Sequence, residues 1–259
     1  MDTSQTGPGA SEPPDVASEA RPSRRERARA ATIEEIKETA LRLMHEQGRT
    51  DLRFSDIARE MGMTAPALYR YFNDRDELLT AMIVDAYDDL GDKVADAREA
   101  VDPEDLPGRF YAVAAAYRAW ANRDPQRFAL IFGLPVPGYI APEEGPTTEA
   151  AQRAMMQLKA MFLDADQRGM LGSPIIAQAH PSLHKPAKDE DEVMTPAGAG
   201  PLPPEFFQAC LTAWSMLHGF VTLETYGHFS FIGPEGRDAL FDTVVRLTAI
   251  TSGYPWPDS

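Results

Sequence analysis

Tyr69, Arg70, Tyr71 and Arg75 crowd together in the first third of the chain, just after the small residues Ala65 and Ala67. Such a set suits gripping a polyanion rather than making or breaking bonds. Phenol hydroxyls and guanidinium groups reach phosphate oxygens, and small side chains let a helix end approach the edges of bases. Catalysis has less to stand on. Glu224 and His218 are six residues apart and share a helical face poorly. No nucleophile with a paired base, metal-ligand cluster or phosphate-cradling glycine loop accompanies them. His180 and His184 have the spacing of helical metal ligands, but Pro181 lies between them and no third ligand is evident. The residues describe a binding protein, not an enzyme, and call for no metal or cofactor.

Two short helices meeting at a tight turn must hold these side chains. Phe54, Ile57, Ala58 and Met61 recur at spacings of three and four, so one helix of about two turns buries a single apolar stripe. Gly62 ends it, Thr64 is a good N-cap for the next, and Pro66 falls in a first turn where its missing N–H removes no hydrogen bond. On the second helix, starting at about Ala65, Leu68 and Phe72 form an i,i+4 pair that packs back on the first. Ala65, Ala67, Arg70 and Tyr71 point elsewhere and form the candidate reading surface. An ordinary αα-corner has the same outline; the outward residues suit the helix-turn-helix that enters the major groove.

Ile57-Ala58, Gly62, Leu68-Tyr69, Tyr71-Phe72, Arg75 and Glu77-Leu78-Leu79, preceded by an amphipathic helix ending at Gly48, resemble the DNA-binding domain of the TetR family of transcriptional regulators. The resemblance implies that Tyr69, Tyr71 and Arg75 hold phosphates while Ser55, Thr64, Ala65, Ala67 and Arg70 lie closest to bases. Two positions depart from the family pattern. Arg53 stands where a capping Ser or Thr is usual, leaving either Ser55 as the cap of a later-starting helix or Arg53 as a phosphate ligand; Arg75 replaces the usual lysine and keeps its charge. With alanine at two reading positions, specificity leans on Arg70, Ser55, methyl contacts and DNA shape.

A formal net charge of -15 looks unsuited to DNA until it is divided along the chain. Arginines 21, 24, 25, 27 and 29 open a locally basic first third, and the remainder is acidic, a polarity that turns the basic end toward a duplex. Residues 1–24 are expected to be a disordered tail, because they offer almost no apolar surface. Its terminal arginines, Arg21, Arg24 and Arg25, serve either as a groove-tracking arm or simply for solubility. At 259 residues and 43% hydrophobic content the chain can bury a sizeable core. No apolar run reads as membrane-spanning, no signal core opens the sequence, and the single Cys210 allows no internal disulfide; together these point to the cytoplasm.

The expected fold is all-α: a helix-turn-helix domain over 25–75, then a helical effector-binding and dimerisation domain over 76–252 and a short tail over 253–259. A helix from about Arg75 to Asp92 joins the two. A Pro/Gly-rich loop over 169–204 is either disordered or a lid. Pro204 to His228 reads as the most buried helix, apolar on almost every face. With the helix from about Glu235 to Thr251 it makes either a symmetric four-helix homodimer interface or a thicker monomer core.

Tyr117 to Asn122, Asp124-Pro125, Ile131 to Gly133, Pro135 to Tyr139, and Trp214 with His218-Gly219 resemble the WHG-type C-terminal domain of some TetR-like regulators. The expected effector lining is aromatic and methionine-rich, namely Trp120, Phe128, Phe132, Met155, Phe162 and Trp214, with His218 beside it, and suits an apolar or aromatic small molecule. The expected function is a dimeric regulator, a repressor in the commoner mode, that binds a palindromic operator and leaves it when the effector binds. A DNA-binding dimer that senses no ligand is the alternative.

Overall fold

A computed structural model describes residues 23–47, 52–140, 144–185 and 203–257. Within them the chain is helical with no strand: α1 (Arg24–Gln47), α2 (Phe54–Glu60), α3 (Ala65–Leu68), α4 (Arg75–Glu99), α5 (Leu106–Arg123), α6 (Pro125–Phe132), α7 (Pro146–Gln167), α8 (Pro204–Thr225) and α9 (Pro234–Thr251). The tail through residue 22, the Gly48 terminator and the central loop from 186 to 202 lie outside the described residues.

Aspartates start the helices that the rest is built on. Asp74 accepts from Glu77 N at 2.8 Å to open α4, Asp105 from Gly108 N at 2.9 Å to open α5, and Asp124 from Arg127 N at 3.1 Å to open α6. Each satisfies an N–H that the first helical turn leaves without a partner. Proline takes a first-turn position in α5, α6, α7, α8 and α9, where it forfeits no helical bond.

Two cores result. The first gathers Ile36, Ala40, Phe54, Ile57, Leu68 and Phe72 with the opening turns of α4, and draws in Leu130 and Val136 from beyond α5. The second lies between α5, α7, α8 and α9 around Phe110, Trp120, Phe128, Phe162, Phe220 and Phe241. Leu78 to Ile83 of α4 belong to the first and Leu90 and Val94 to the second, so one rigid helix is shared by both.

Three expectations need correction. The shared helix runs to Glu99 rather than Asp92, since Gly91 keeps helical geometry and does not break it; a Cβ there would only make ordinary contact with Ala154 of α7, at 3.5 Å. The helix from Pro204 is not wrapped on all faces. Its buried residues are Ala209, Ala213, Leu217, Phe220 and Val221, a single stripe, while Leu211 and Leu223 on other faces remain exposed. By length and mean composition α8 could cross a membrane, as core helices of soluble proteins also could, but Gln208, Thr212, Ser215, His218 and Thr222 interrupt its apolar residues. The stretch from 169 to 185 is partly ordered by contacts rather than loose, for Gly172 N and Ile175 N donate to the Gly253 and Thr251 carbonyls, and Pro181–Leu183 form a 3-10 turn. In the C-terminal tail Tyr254 is buried against Phe110, its ring 4.8 Å away.

Candidate functional site

The α2–α3 unit is assembled from its inner face. Phe54, Ile57 and Ala58 of α2 are buried, and Leu68 and Phe72 pack back on them, as the i,i+4 pairing requires. Gly62, at φ 64, makes the bend: this left-handed conformation favours a residue without a side chain. Thr64 is the N-cap residue of α3, but no side-chain cap bond forms there. Regular helix lasts only four residues. The chain then continues in tighter turns, with Tyr71 N and Phe72 N both donating to the Leu68 carbonyl.

Arg53 is the residue before α2 and makes no capping bond, so Ser55 falls inside the helix as an exposed residue and caps nothing. The choice left open by the sequence thus resolves toward an uncapped Arg53. Its guanidinium and that of Arg70 are exposed and enter no hydrogen bond or ion pair among the described residues. Neighbouring arginines are engaged: Arg59 pairs with Asp56 at 2.9 Å, and Arg42 with Glu60 at 3.0 Å and Glu46 at 3.2 Å. Ser55, Thr64, Tyr69 and Arg70 are exposed, Ala65 and Ala67 half-buried. Tyr69 rests its ring on Phe54 with centroids 5.1 Å apart while 57% of the residue stays accessible, which fixes the phenol's base and frees its hydroxyl end.

Arg29 was not singled out from the sequence as part of this unit. From α1 it donates to the Arg70 carbonyl at 3.0 Å and covers the Tyr71 ring at 5.2 Å, so it braces the last turn of the reading element and half-buries Tyr71. No spacing rule within 52–75 could have found it, because the contact spans helices. The turns of α1 before it are exposed on all sides and carry Arg24, Arg25 and Arg27.

Arg75 is placed differently from Arg53 and Arg70. It is half-buried and donates from Nη1 to the Pro137 carbonyl at 3.2 Å, across to the loop that follows α6. Beside it Thr80 Oγ1 and Tyr139 Oη share a hydrogen bond of 3.0 Å, and Tyr87 Oη donates to the Ile131 carbonyl at 3.4 Å. Three bonds therefore fasten the first half of α4 to α6 and its loop.

In the body, a small cavity of about 40 Å³ lies between α4, α5, α7 and α8. Leu90, Val113, Tyr117, Met155, Leu158 and Trp214 are among its walls. Of the seven expected effector residues, only Met155 and Trp214 reach it. Trp120 is buried with its indole N–H given to Asp89 at 2.8 Å, and Phe162 sits at the other end of the core, 5.5 Å from the Tyr254 ring. Phe128, Phe132 and His218 close on Tyr117 and Trp214 as a mutually packed aromatic cluster. Burial keeps the His218 imidazole below its ordinary pKa and pushes the Tyr117 phenol far above its own, so both are neutral at pH 7. They share a hydrogen bond of 2.7 Å through Nδ1, and Thr222 Oγ1 lies 3.3 Å from Nε2.

Behind that cluster a buried carboxylate ties α5 to α8. Glu224 accepts from Arg118 Nε at 2.7 Å and from Asn122 at 2.8 Å, and Arg118 also pairs with Asp238 of α9 at 2.9 Å. Burial alone would raise the Glu224 carboxyl; the bonds from Arg118 and Asn122 outweigh it and hold the group below its usual range. Both Glu224 oxygens have donors, which marks the cluster as an anchor between helices rather than a reacting centre.

Known proteins can be set against this geometry. Residues 36–82 match the family described as bacterial regulatory proteins, tetR family, and residues 110–248 match the tetracyclin repressor-like C-terminal domain. The chain is 32% identical over 224 residues to the HTH-type transcriptional regulator Rv1816 of Mycobacterium tuberculosis, covering 86% of this chain and 93% of that protein. The crystal structure of "putative regulatory protein SCO4313" is 33% identical, with a TM-score of 0.68 over 87% of this chain and 98% of its own. The TetR family transcriptional regulator PfmR from Thermus thermophilus, 17% identical, shares the fold at a TM-score of 0.53 over 82% of this chain and 96% of its own.

Proposed function

We propose that this chain, which belongs to the TetR family of bacterial regulatory proteins, works as a homodimer that reads a roughly palindromic operator and releases it when a small apolar or aromatic molecule enters its helical body. It is a transcriptional regulator with a helix-turn-helix, not an enzyme. Its mode of control in this reading is repression, and its place is the cytoplasm.

The observation that carries the dimer is the unpartnered apolar surface on the last two helices. Leu211 and Leu223 of α8 and Leu247 of α9 are each more than two-fifths exposed, and Phe231 between them is 82% exposed. A second copy of the same helices would cover such residues and set the distance between two reading elements. Two copies about one turn of DNA apart would then meet two half-sites. In each, Arg53, Tyr69 and Tyr71 would hold phosphates while Ser55, Thr64, Ala65, Ala67 and Arg70 face bases; Arg75 would reach a phosphate only by giving up Pro137.

Release follows from the shared helix. A ligand wedged between α4 and α7 pushes on Leu90 and Val94, and α4 carries the displacement to Leu78 and Leu79 beneath the reading unit. Sequencing the genomic fragments retained by the purified protein, followed by titration of apolar compounds against the retained operator, tests the proposal. Retention of no defined sequence would defeat it. Retention that no compound relieves would favour a dimer without an effector.

A further inference from the structure

Gln157 lies in α7 with its carboxamide oxygen buried and without a hydrogen-bond partner among the described residues, and the same side chain lines the cavity between α4, α5, α7 and α8. The walls around it are otherwise carbon-rich: Leu90, Val94, Val113, Leu158 and Leu217. Tyr117, whose hydroxyl could have supplied a donor, is committed to His218 at 2.7 Å. We infer that the cavity takes a ligand that is apolar over most of its surface and carries one hydrogen-bond donor, a hydroxyl or N–H, aimed at Gln157 Oε1.

The inference rests on the effector reading above and gives it a chemical class. A buried carbonyl oxygen with no donor is destabilising, and a ligand that supplies one recovers that loss on binding. Water is a poorer substitute. It needs two to four polar partners, and of the lining side chains only Gln157, Tyr117 and Trp214 carry a nitrogen or oxygen, Tyr117 being already bonded to His218. An acid or an amine is also ill-suited, since the cavity has no charged side chain in its lining to meet it. A single ring or short chain with one hydroxyl matches what is present. Met155 and Leu158, both half-buried on α7, are the residues that must turn aside to admit it, and an unbranched methionine does so at low cost.

The test compares p-cresol with p-xylene, which share a shape and differ by hydroxyl against methyl. Affinities are measured calorimetrically on the full chain in its natural form and as Gln157→Leu and Gln157→Met. The ratio of p-cresol to p-xylene affinity should be roughly tenfold larger in the natural protein than in either variant, the worth of one buried hydrogen bond. The ligand-free variants should melt higher, because an orphaned acceptor has been removed. If Gln157→Leu does not fold, the unbranched Gln157→Met carries the comparison. An unchanged ratio overturns the donor assignment while leaving the effector reading intact, since both compounds still bind. Failure of both to bind the natural protein overturns the effector reading, and the inference with it.

Discussion

Arg53 and Arg70 offer the sharpest division between gripping DNA and reading it. Both guanidinium groups are exposed and bond to nothing among the described residues, so replacing either with glutamine removes a charge without breaking a contact seen there. In the proposed dimer each substitution removes two cations. If Arg53 sits on a phosphate, Arg53→Gln flattens the slope of log affinity against log salt by about 1.8, from roughly 0.9 per phosphate on B-form DNA. Raising salt from about 50 to about 200 mM should then weaken the natural protein about twelvefold more than the variant, equally for every operator variant tried. Arg70→Gln should flatten the slope less and instead lose discrimination at one base position per half-site, by about 1–3 kcal/mol each. Fluorescence anisotropy on a retained operator and its single-base variants, at four or five salt concentrations, measures both quantities. Loss of base preference in Arg53→Gln, or a full phosphate-sized change of slope with intact preference in Arg70→Gln, would refute the assignment.

Arg75→Ala should lower thermal stability by about 2–6 °C, from the loss of a charge-assisted bond to the Pro137 carbonyl worth about 1–2 kcal/mol, and should leave the salt slope near that of the natural protein. A slope flattened by a phosphate's worth would show that Arg75 leaves Pro137 for DNA. Glu224→Leu strands Arg118 beside Phe220 and Phe241 and should cost about 3 kcal/mol, the lower end for a broken buried pair because Asp238 still faces Arg118. Adding Arg118→Met should recover most of that in chemical denaturation, and no recovery would deny that the two act as a pair. The depressed His218 pKa means that the unfolded chain takes up this proton first as pH falls, so stability is complete above its ordinary value of 6.5 and declines below it. His218→Gln should flatten the decline between about pH 7 and pH 5.5, and an unaltered profile would place the sensitivity elsewhere.

How far the sequence reaches depends on whether a feature is local. The α2–α3 unit was legible because Phe54, Ile57, Ala58, Leu68 and Phe72 encode one buried face in consecutive turns, and Gly62 marks the bend. Arg29 over Tyr71 and Arg75 on Pro137 were not, since each joins residues dozens of positions apart. In α8, apolar composition cannot say whether a face meets this chain or another, which is why a helix expected to be wrapped proves striped. The effector lining was read from residue type, yet aromatic side chains satisfy one another as readily as they line a space. Phe128, Phe132 and His218 do the former; Gln157, which composition gave no reason to choose, does the latter.

In the proposed mode of action two copies of this chain stand together on one duplex, which sedimentation equilibrium of the purified protein with an operator fragment in low salt can weigh. The expected complex has the mass of one duplex plus two chains, with free protein already dimeric. A complex holding a single chain, or a monomer that leaves the duplex unbound, would contradict it.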